Sequence, residues 1–215
     1  MFLPRHGYRR DNYSQTDGIR QFLFLPGRVP FTNNAKMSTT LSLVSELERI
    51  VSALSADADV TSEVPLASVA EKIAKSLGVR KDEVAILGLS TRWRHLHFLV
   101  PEALKKVGFI PLSSNSALAA RTARDNRADI ENNFTVARHA TVFESVKLAG
   151  DTTEAIQKIM SAPIVADGKV LGVIQVSRKG PDPARAGPDF LSDDLAKLQA
   201  LCKPLGKLLQ RTIAE

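Results

Sequence analysis

Three groups of side chains in this sequence could do chemistry. His95 and His97 stand two apart in HLHFLV, a spacing that brings two imidazoles out on one face of a strand. With His139 they could converge on a metal or a haem iron, because ligating nitrogens must meet at one point. No further Cys, Asp or Glu at ligand spacing accompanies them. Histidines on an amphipathic strand are also ordinary partly buried residues, so no metal is assigned. A second group is Asn126, Asn132, Asn133, Arg138 and His139, with Ser113, Ser114 and Asn115 upstream. Amides and hydroxyls can orient a neutral or weakly anionic metabolite, and Arg121, Arg124 or Arg138 could meet a carboxylate or phosphate. The same residue types serve equally as helix caps and loop solvation. The third is Cys202, the single cysteine, which excludes a disulfide framework and a multi-cysteine zinc site. Ser, His and Asp all occur, but without a nucleophile elbow or a phosphate-cradling glycine loop. No catalytic residue is assigned, and the chain is read as a non-enzyme.

The elements that would carry these groups can be read from periodicity. In SAPIVADGKVLGVIQVSRKG, residues 161–180, Asp167-Gly168 separates two apolar runs, Pro163–Ala166 and Val170–Val176, which predicts a hairpin. Alternation puts Val170, Ile174 and Val176 on one side of the second run and Leu171 and Val173 on the other, around Gly172. Val84–Ser90 and His95–Val100 read as strands joined by a turn at Thr91–Arg94. On the second, Trp93, His95, His97 and Leu99 point one way and Leu96, Phe98 and Val100 the other. A short strand is expected at Ala128–Glu131.

Helices are expected at Leu66–Leu77, closed by Gly78, at Ser113–Arg124 with Ser114 or Asn115 as N-cap, and at Phe134–Leu148. Two terminal helices carry leucine seams. The first runs through Leu43, Leu47, Ile50 and Leu54; the last through Leu191, Leu195, Leu198, Cys202, Leu205 and Leu209. The acidic start Ser192-Asp193-Asp194 suits a helix N-terminus, and Pro204 is expected to kink the last helix. Gly180–Pro188 reads as an irregular loop. This order of elements predicts an α+β fold with a mainly antiparallel sheet.

Bulk properties narrow the classes further. An apolar share of 44% and a charged share of 24% in 215 residues are ordinary for a soluble globular chain. Of the net charge of +6, residues 1–36 carry +4, so the remainder is close to neutral. A solvated basic tail or an arm touching nucleic acid would both fit. No helix-turn-helix pattern supports the second, and nucleic acid is not the expected partner. No apolar run is long enough to span a bilayer, and Phe22–Pro26 is too short for a signal peptide core. Cytoplasmic location without membrane contact is the expectation. The chain divides into a basic extension read as disordered (1–36), an N-terminal amphipathic helix and linker (37–64), and a domain (65–215). Met37 is a candidate initiator.

The stretch from Ser161 to Ile174, with Ala162, Pro163, Ile164, Gly168, Val170, Leu171, Gly172 and Val173, followed by Phe190, Asp193 and Asp194, resembles the GAF domain family. The likeness covers 160–209 in motif and 66–148 in order of elements only. It implies a GAF/PAS-like central antiparallel sheet of about five to six strands with helices on both faces. The N- and C-terminal helices would pack together. One face of the last strands would meet those helices, and the other would floor a pocket roofed by segments around 110–145. Gly172 would then serve close approach of a helix backbone or a ligand. His97, Ser114, Asn115, Arg121, Asn132, Arg138 and His139 are the candidate ligand-binding residues on this resemblance. A free methionine sulfoxide reductase of the family needs several cysteines, and covalent bilin attachment needs a pocket cysteine; Cys202 meets neither need. Cyclic-nucleotide binding lacks a matching Asn, and its Phe-to-acid spacing is one short. What remains is a small-molecule sensing or dimerising signalling module without an output domain on the same chain. Its ligand and cofactor are unidentified. Its expected partners are a second copy through the terminal helices and a separate signalling protein. An enzyme using the same pocket, and a transcription-associated regulator using the basic arm, are the alternatives. The leucine seams could equally cover their own sheet.

Overall fold

A computed structural model describes residues 41–49, 52, 66–106, 108–134 and 154–212. The basic extension, most of the expected helix Phe134–Leu148, Arg138 and His139 lie outside the described residues. In chain order the elements are helix α1 (residues 41–49), α2 (Leu66–Leu77), β1 (Val84–Ser90), β2 (His95–Val100), β3 (Phe109–Pro111), α3 (Leu118–Asp125), β4 (Asp129–Glu131), β5 (Ile156–Ala166), β6 (Lys169–Lys179) and α4 (Ser192–Thr212). The strands form one sheet in the order β3-β2-β1-β6-β5-β4, each neighbouring pair antiparallel.

Local chemistry explains the boundaries. Gly78, at φ +67°, ends α2 in a left-handed cap. The Val79 N–H donates to Ala74 O and the Gly78 N–H to Lys75 O, which satisfies carbonyls the helix leaves open. Asp167 and Gly168 both have positive φ, as a two-residue hairpin turn requires. Gln210 on α4 donates to the Asp167 carboxylate at 2.6 Å, tying that turn to the last helix. Helix α4 begins where the Asp194 carboxylate accepts the Leu191 N–H, and it continues through Pro204.

Two layers of core flank the sheet. On one face α1, α2 and α4 pack with Ile86, Met160, Ile164, Ile174 and Val176. On the other, α3 covers Leu87, Leu96, Phe98 and Val173 through Ala119, Ala120 and Ala123. The seam of α4 is spent inside the chain: Leu198, Leu201, Leu205 and Leu209 are 0% exposed, and Leu43 and Leu47 of α1 join the same core. Such side chains have no apolar area left to bury against a second copy. Leu191, by contrast, precedes the helix and is exposed.

Several expectations are corrected. Two β-bulges switch strand faces, which period-two alternation cannot anticipate. On β2, Ile86 pairs with Val100 and Leu87 with Phe98, so Leu99 is the extra residue. Val100 therefore joins the terminal-helix face, not the face of Leu96 and Phe98. On β6, Ile164 pairs with Gly172 and Val165 with Val170, so Leu171 is extra. Val170 packs toward α3 and Leu171 toward the terminal helices, the reverse of the alternation. Helix α3 starts at Leu118, not Ser113, and its N-cap Ala117 makes no side-chain cap. The Ser114 hydroxyl instead accepts the Ala117 N–H at 3.2 Å and holds a preceding turn. The close approach seen at Gly172 is that of a neighbouring strand, not of a helix. A Cβ there would lie 2.1 Å from the Leu87 carbonyl oxygen of neighbouring β1. The close helix contact falls at Gly206, whose added Cβ would meet Val165 O of β5 at 2.3 Å.

One corner is fastened by charge. The buried Glu83 carboxylate accepts the Arg80 N–H and the Lys179 N–H, each at 2.7 Å, joining the start of β1 to the end of β6. Lys179 Nζ donates to Asp82 O and to Asp82 Oδ2, both at 2.9 Å. Burial alone would raise the Asp82 carboxyl. The Lys179 hydrogen bond and the charges of Lys179 and Arg80 outweigh it and hold the group below its ordinary value.

Candidate functional site

On the α3 face, the central strands carry a row of polar residues. Register pairs Asp129 of β4 with Ser161 of β5, and Ser161 with Gln175 of β6. Alternation around Val173 turns Gln175 toward α3 rather than toward the terminal helices. Helix α3 lays Thr122 over the row, and its hydroxyl donates to Ser161 Oγ at 2.8 Å. Gln175 Nε2 also donates to Ser161 Oγ, at 3.4 Å. Thr122 is 2% exposed, Ser161 0% and Gln175 3%. Among the described residues, the buried Gln175 Oε1 has no hydrogen-bond partner. An apolar residue would have filled that place without this penalty, since an unsatisfied buried acceptor costs about 1–3 kcal/mol. Leu118, Phe134, Ile156 and Ile159 form an apolar patch on the same side.

The charged groups around this row have carboxylates near them. Arg121 Nη2 lies 3.9 Å from Glu131, Arg127 4.0 Å from Asp129, and Arg124 Nε 3.3 Å from Asp125. Arg121 Nε is buried without a partner among the described residues.

The candidates named from sequence are not one cluster. His97 is on the opposite, terminal-helix face, where its ring fills the space above Gly88. Its neighbours there are His95, at 6.2 Å between ring centroids, and the apolar Leu99. Burial, with His95 beside it, lowers the His97 pKa from its ordinary value. Among the described residues no group of three metal-ligating side chains occurs. Ser114 is engaged in its turn, Asn115 is exposed, and Arg124 braces that turn by donating to Leu112 O at 3.0 Å.

Asn132 has a structural task. Its Nδ2 donates to Phe190 O at 3.0 Å, while its Oδ1 accepts the Phe190 N–H at 2.9 Å. The Pro/Gly loop is pinned further by Lys158, which donates to Gly187 O at 2.6 Å and meets Asp189 at 2.7 Å. Arg178 lies over the Phe190 ring at 4.7 Å. Replacing Asn132 by alanine removes both amide bonds at once and should cost about 2 kcal/mol. Limited proteolysis should then cut the 180–190 loop faster than in the parent chain, and unchanged cleavage would remove this role.

Thr122, Ser161 and Gln175 are not among the candidates read from the sequence. The available signal was a glutamine inside the otherwise apolar VIQV of a central strand, because a buried polar group needs a reason. Cys202 sits in the terminal-helix core, where its thiol donates to Leu198 O and burial pushes it up to about 12. A soluble disulfide reagent at mildly alkaline pH should leave it unlabelled in the folded chain and modify it fully in denaturant. Rapid labelling of native protein would contradict its placement.

A single antiparallel sheet, closed by terminal helices on one face and by a short helix over a polar floor on the other, defines a small α+β domain. The family model for the GAF domain matches residues 63–209, and the chain belongs to that family. Among solved structures, the GAF domain of an Acinetobacter phosphoenolpyruvate-protein phosphotransferase is 21% identical, with a TM-score of 0.57 over 85% of this chain and 97% of its own. The free methionine-R-sulfoxide reductase of Neisseria meningitidis, in complex with its substrate, is 17% identical, with a TM-score of 0.55 over 86% of this chain and 96% of its own. The A. aeolicus nlh2 GAF domain in an inactive state is 15% identical, with a TM-score of 0.51 over 84% and 99%. At these identities the likeness is one of fold. No curated protein sequence matches the chain. Among the described residues no helix is long and apolar enough to cross a membrane.

Proposed function

We propose that this GAF domain is a receptor module that holds a small molecule against the α3 face of its sheet and passes the bound state to a separate signalling protein. The observation that carries this is the Gln175 carboxamide oxygen, buried in a row of uncharged polar groups and without a partner among the described residues. A domain with no ligand to receive would be more stable without it.

The choice of receptor over enzyme is supported by Cys202, the chain's single thiol, which lies in the terminal-helix core on the other side of the sheet from Gln175. A thiol pushed up to about 12 is a poor nucleophile near neutral pH. A homodimer through the terminal helices remains part of the proposal, but its contact would use their polar outer sides. Glu48 and Ser52 of the first helical segment line a groove there with Lys203, Pro204 and Lys207 of α4. Ion pairs at such a contact are screened by salt, so the pairing should weaken as ionic strength rises.

Native mass spectrometry of freshly purified full-length chain tests both parts. A co-purified small molecule that leaves on mild activation, and a dimer peak that fades with added salt before transfer to the volatile buffer, are the expected results. A bare monomer from several expression hosts would remove the receptor assignment and the dimer together.

A further inference from the structure

The chemistry of the floor narrows the ligand. We propose that it is an uncharged small molecule presenting an N–H donor, of the cyclic amide, imide or pyrimidine-base type, received by Gln175; this rests on the receptor proposal above. The unpartnered atom is an acceptor, so its complement must be a donor. Nε2 of the same carboxamide spends one hydrogen on Ser161 and keeps a second. The group can therefore offer an acceptor and a donor together, the pattern a cis amide edge complements with its own N–H and C=O.

Charge points the same way. Thr122, Ser161 and Gln175 are all neutral. The arginines bordering them lie near carboxylates at the surface, Arg121 with Glu131 at 3.9 Å and Arg127 with Asp129 at 4.0 Å, while Arg121 Nε is a buried donor without a partner among the described residues. Register sets Asp129 beside Ser161 and Glu131 beside Ile159, which places negative charge on the same face of the edge strand. An anion would have to displace or endure those carboxylates. A neutral donor does neither.

The test uses full-length protein stripped of bound molecules by unfolding, dialysis and refolding. Uracil serves as the neutral N–H probe and acetate as the acceptor-only anion, each followed through the side-chain amide resonance of Gln175. Uracil should shift that resonance saturably and acetate should not. In Gln175→Met, which keeps the bulk and removes the amide, uracil affinity should fall at least tenfold. The ligand-free variant should melt higher than the parent chain, because an orphaned acceptor has gone. Acetate binding as well as uracil, absence of any uracil shift in the parent chain, or affinity in Gln175→Met within twofold of the parent each overturns the proposal. Should the variant fail to fold, the comparison of uracil with acetate on the parent chain still decides. A co-purified molecule in native mass spectrometry, together with failure of uracil, would leave the receptor assignment standing and remove only the ligand class. Failure of both removes the two together.

Discussion

Gly172→Ala is expected to destabilise the domain more than any other single-methyl addition to its sheet. The new Cβ would stand 2.1 Å from Leu87 O and 3.2 Å from Leu87 C, against a normal carbon–oxygen contact of about 3.3 Å. The obstacle is backbone, held in register by the Leu87–Val173 and Gly88–Gly172 pairs, so no side chain can rotate out of the way. Strands β1 and β6 would have to part at the centre of the sheet. Overpacking of this kind costs on the order of 3 kcal/mol, a large share of the 5–15 kcal/mol typical of a domain. Gly168→Ala supplies the calibration. Its site is open, with nothing within 4 Å of an added Cβ, and the penalty is only that of its φ of +73°, about 1 kcal/mol. Urea denaturation of the two variants should rank them in that order. A Gly172→Ala midpoint at or above that of Gly168→Ala would show that the strands do not approach as described.

The second large effect is expected at Glu83. Its two oxygens accept one backbone N–H each, from Lys179, 96 positions along the chain, and from Arg80 within its own turn. Glu83→Ala leaves both donors without their acceptor and the neighbouring cations Arg80 and Lys179 with one carboxylate fewer. The loss should be about 3 kcal/mol or more. Glu83→Gln keeps one oxygen but turns an NH2 toward the other N–H, so it should recover only part of the loss. Equal stability of the glutamine variant and the parent chain, by the same denaturation assay, would mean that the second oxygen contributes nothing.

Much of the fold was legible because its elements obey one period at a time. β1, β2 and α2 coincide with the segments expected from alternation and from the Leu66, Val69, Ile73, Leu77 face. The Asp-Gly turn and the acidic opening of α4 were equally plain, since each is local chemistry. The misplacements have a common cause: they depend on what lies across space. Leu99 and Leu171 are bulged only in relation to their partners on β1 and β5. Ser114 has the right side chain to cap a helix, but it was needed one turn earlier. The leucine spacing of α4 is the same whether it meets a second copy or its own sheet, and burial within the chain chooses the sheet.

The candidate site was less legible for a related reason. Polar residues in predicted loops drew notice, whereas the informative ones stood inside the strand and helix facing one another. Ser161 and Gln175 lie 14 residues apart and Thr122 lies 39 before Ser161, so only the register of β5 with β6 and the placement of α3 bring them together. Asn132 illustrates the converse: a polar loop residue with both ends of its amide already committed to the backbone of Phe190.

That commitment has a mechanical meaning. Asn132 follows the edge strand β4, and Phe190 leads directly into α4, so two elements far apart in the chain share one joint. Tilting the outer strand without dragging the first turn of the last helix would require both Asn132–Phe190 hydrogen bonds to break at once. A displacement at one rim of the sheet is thereby geared to the helix on its far side.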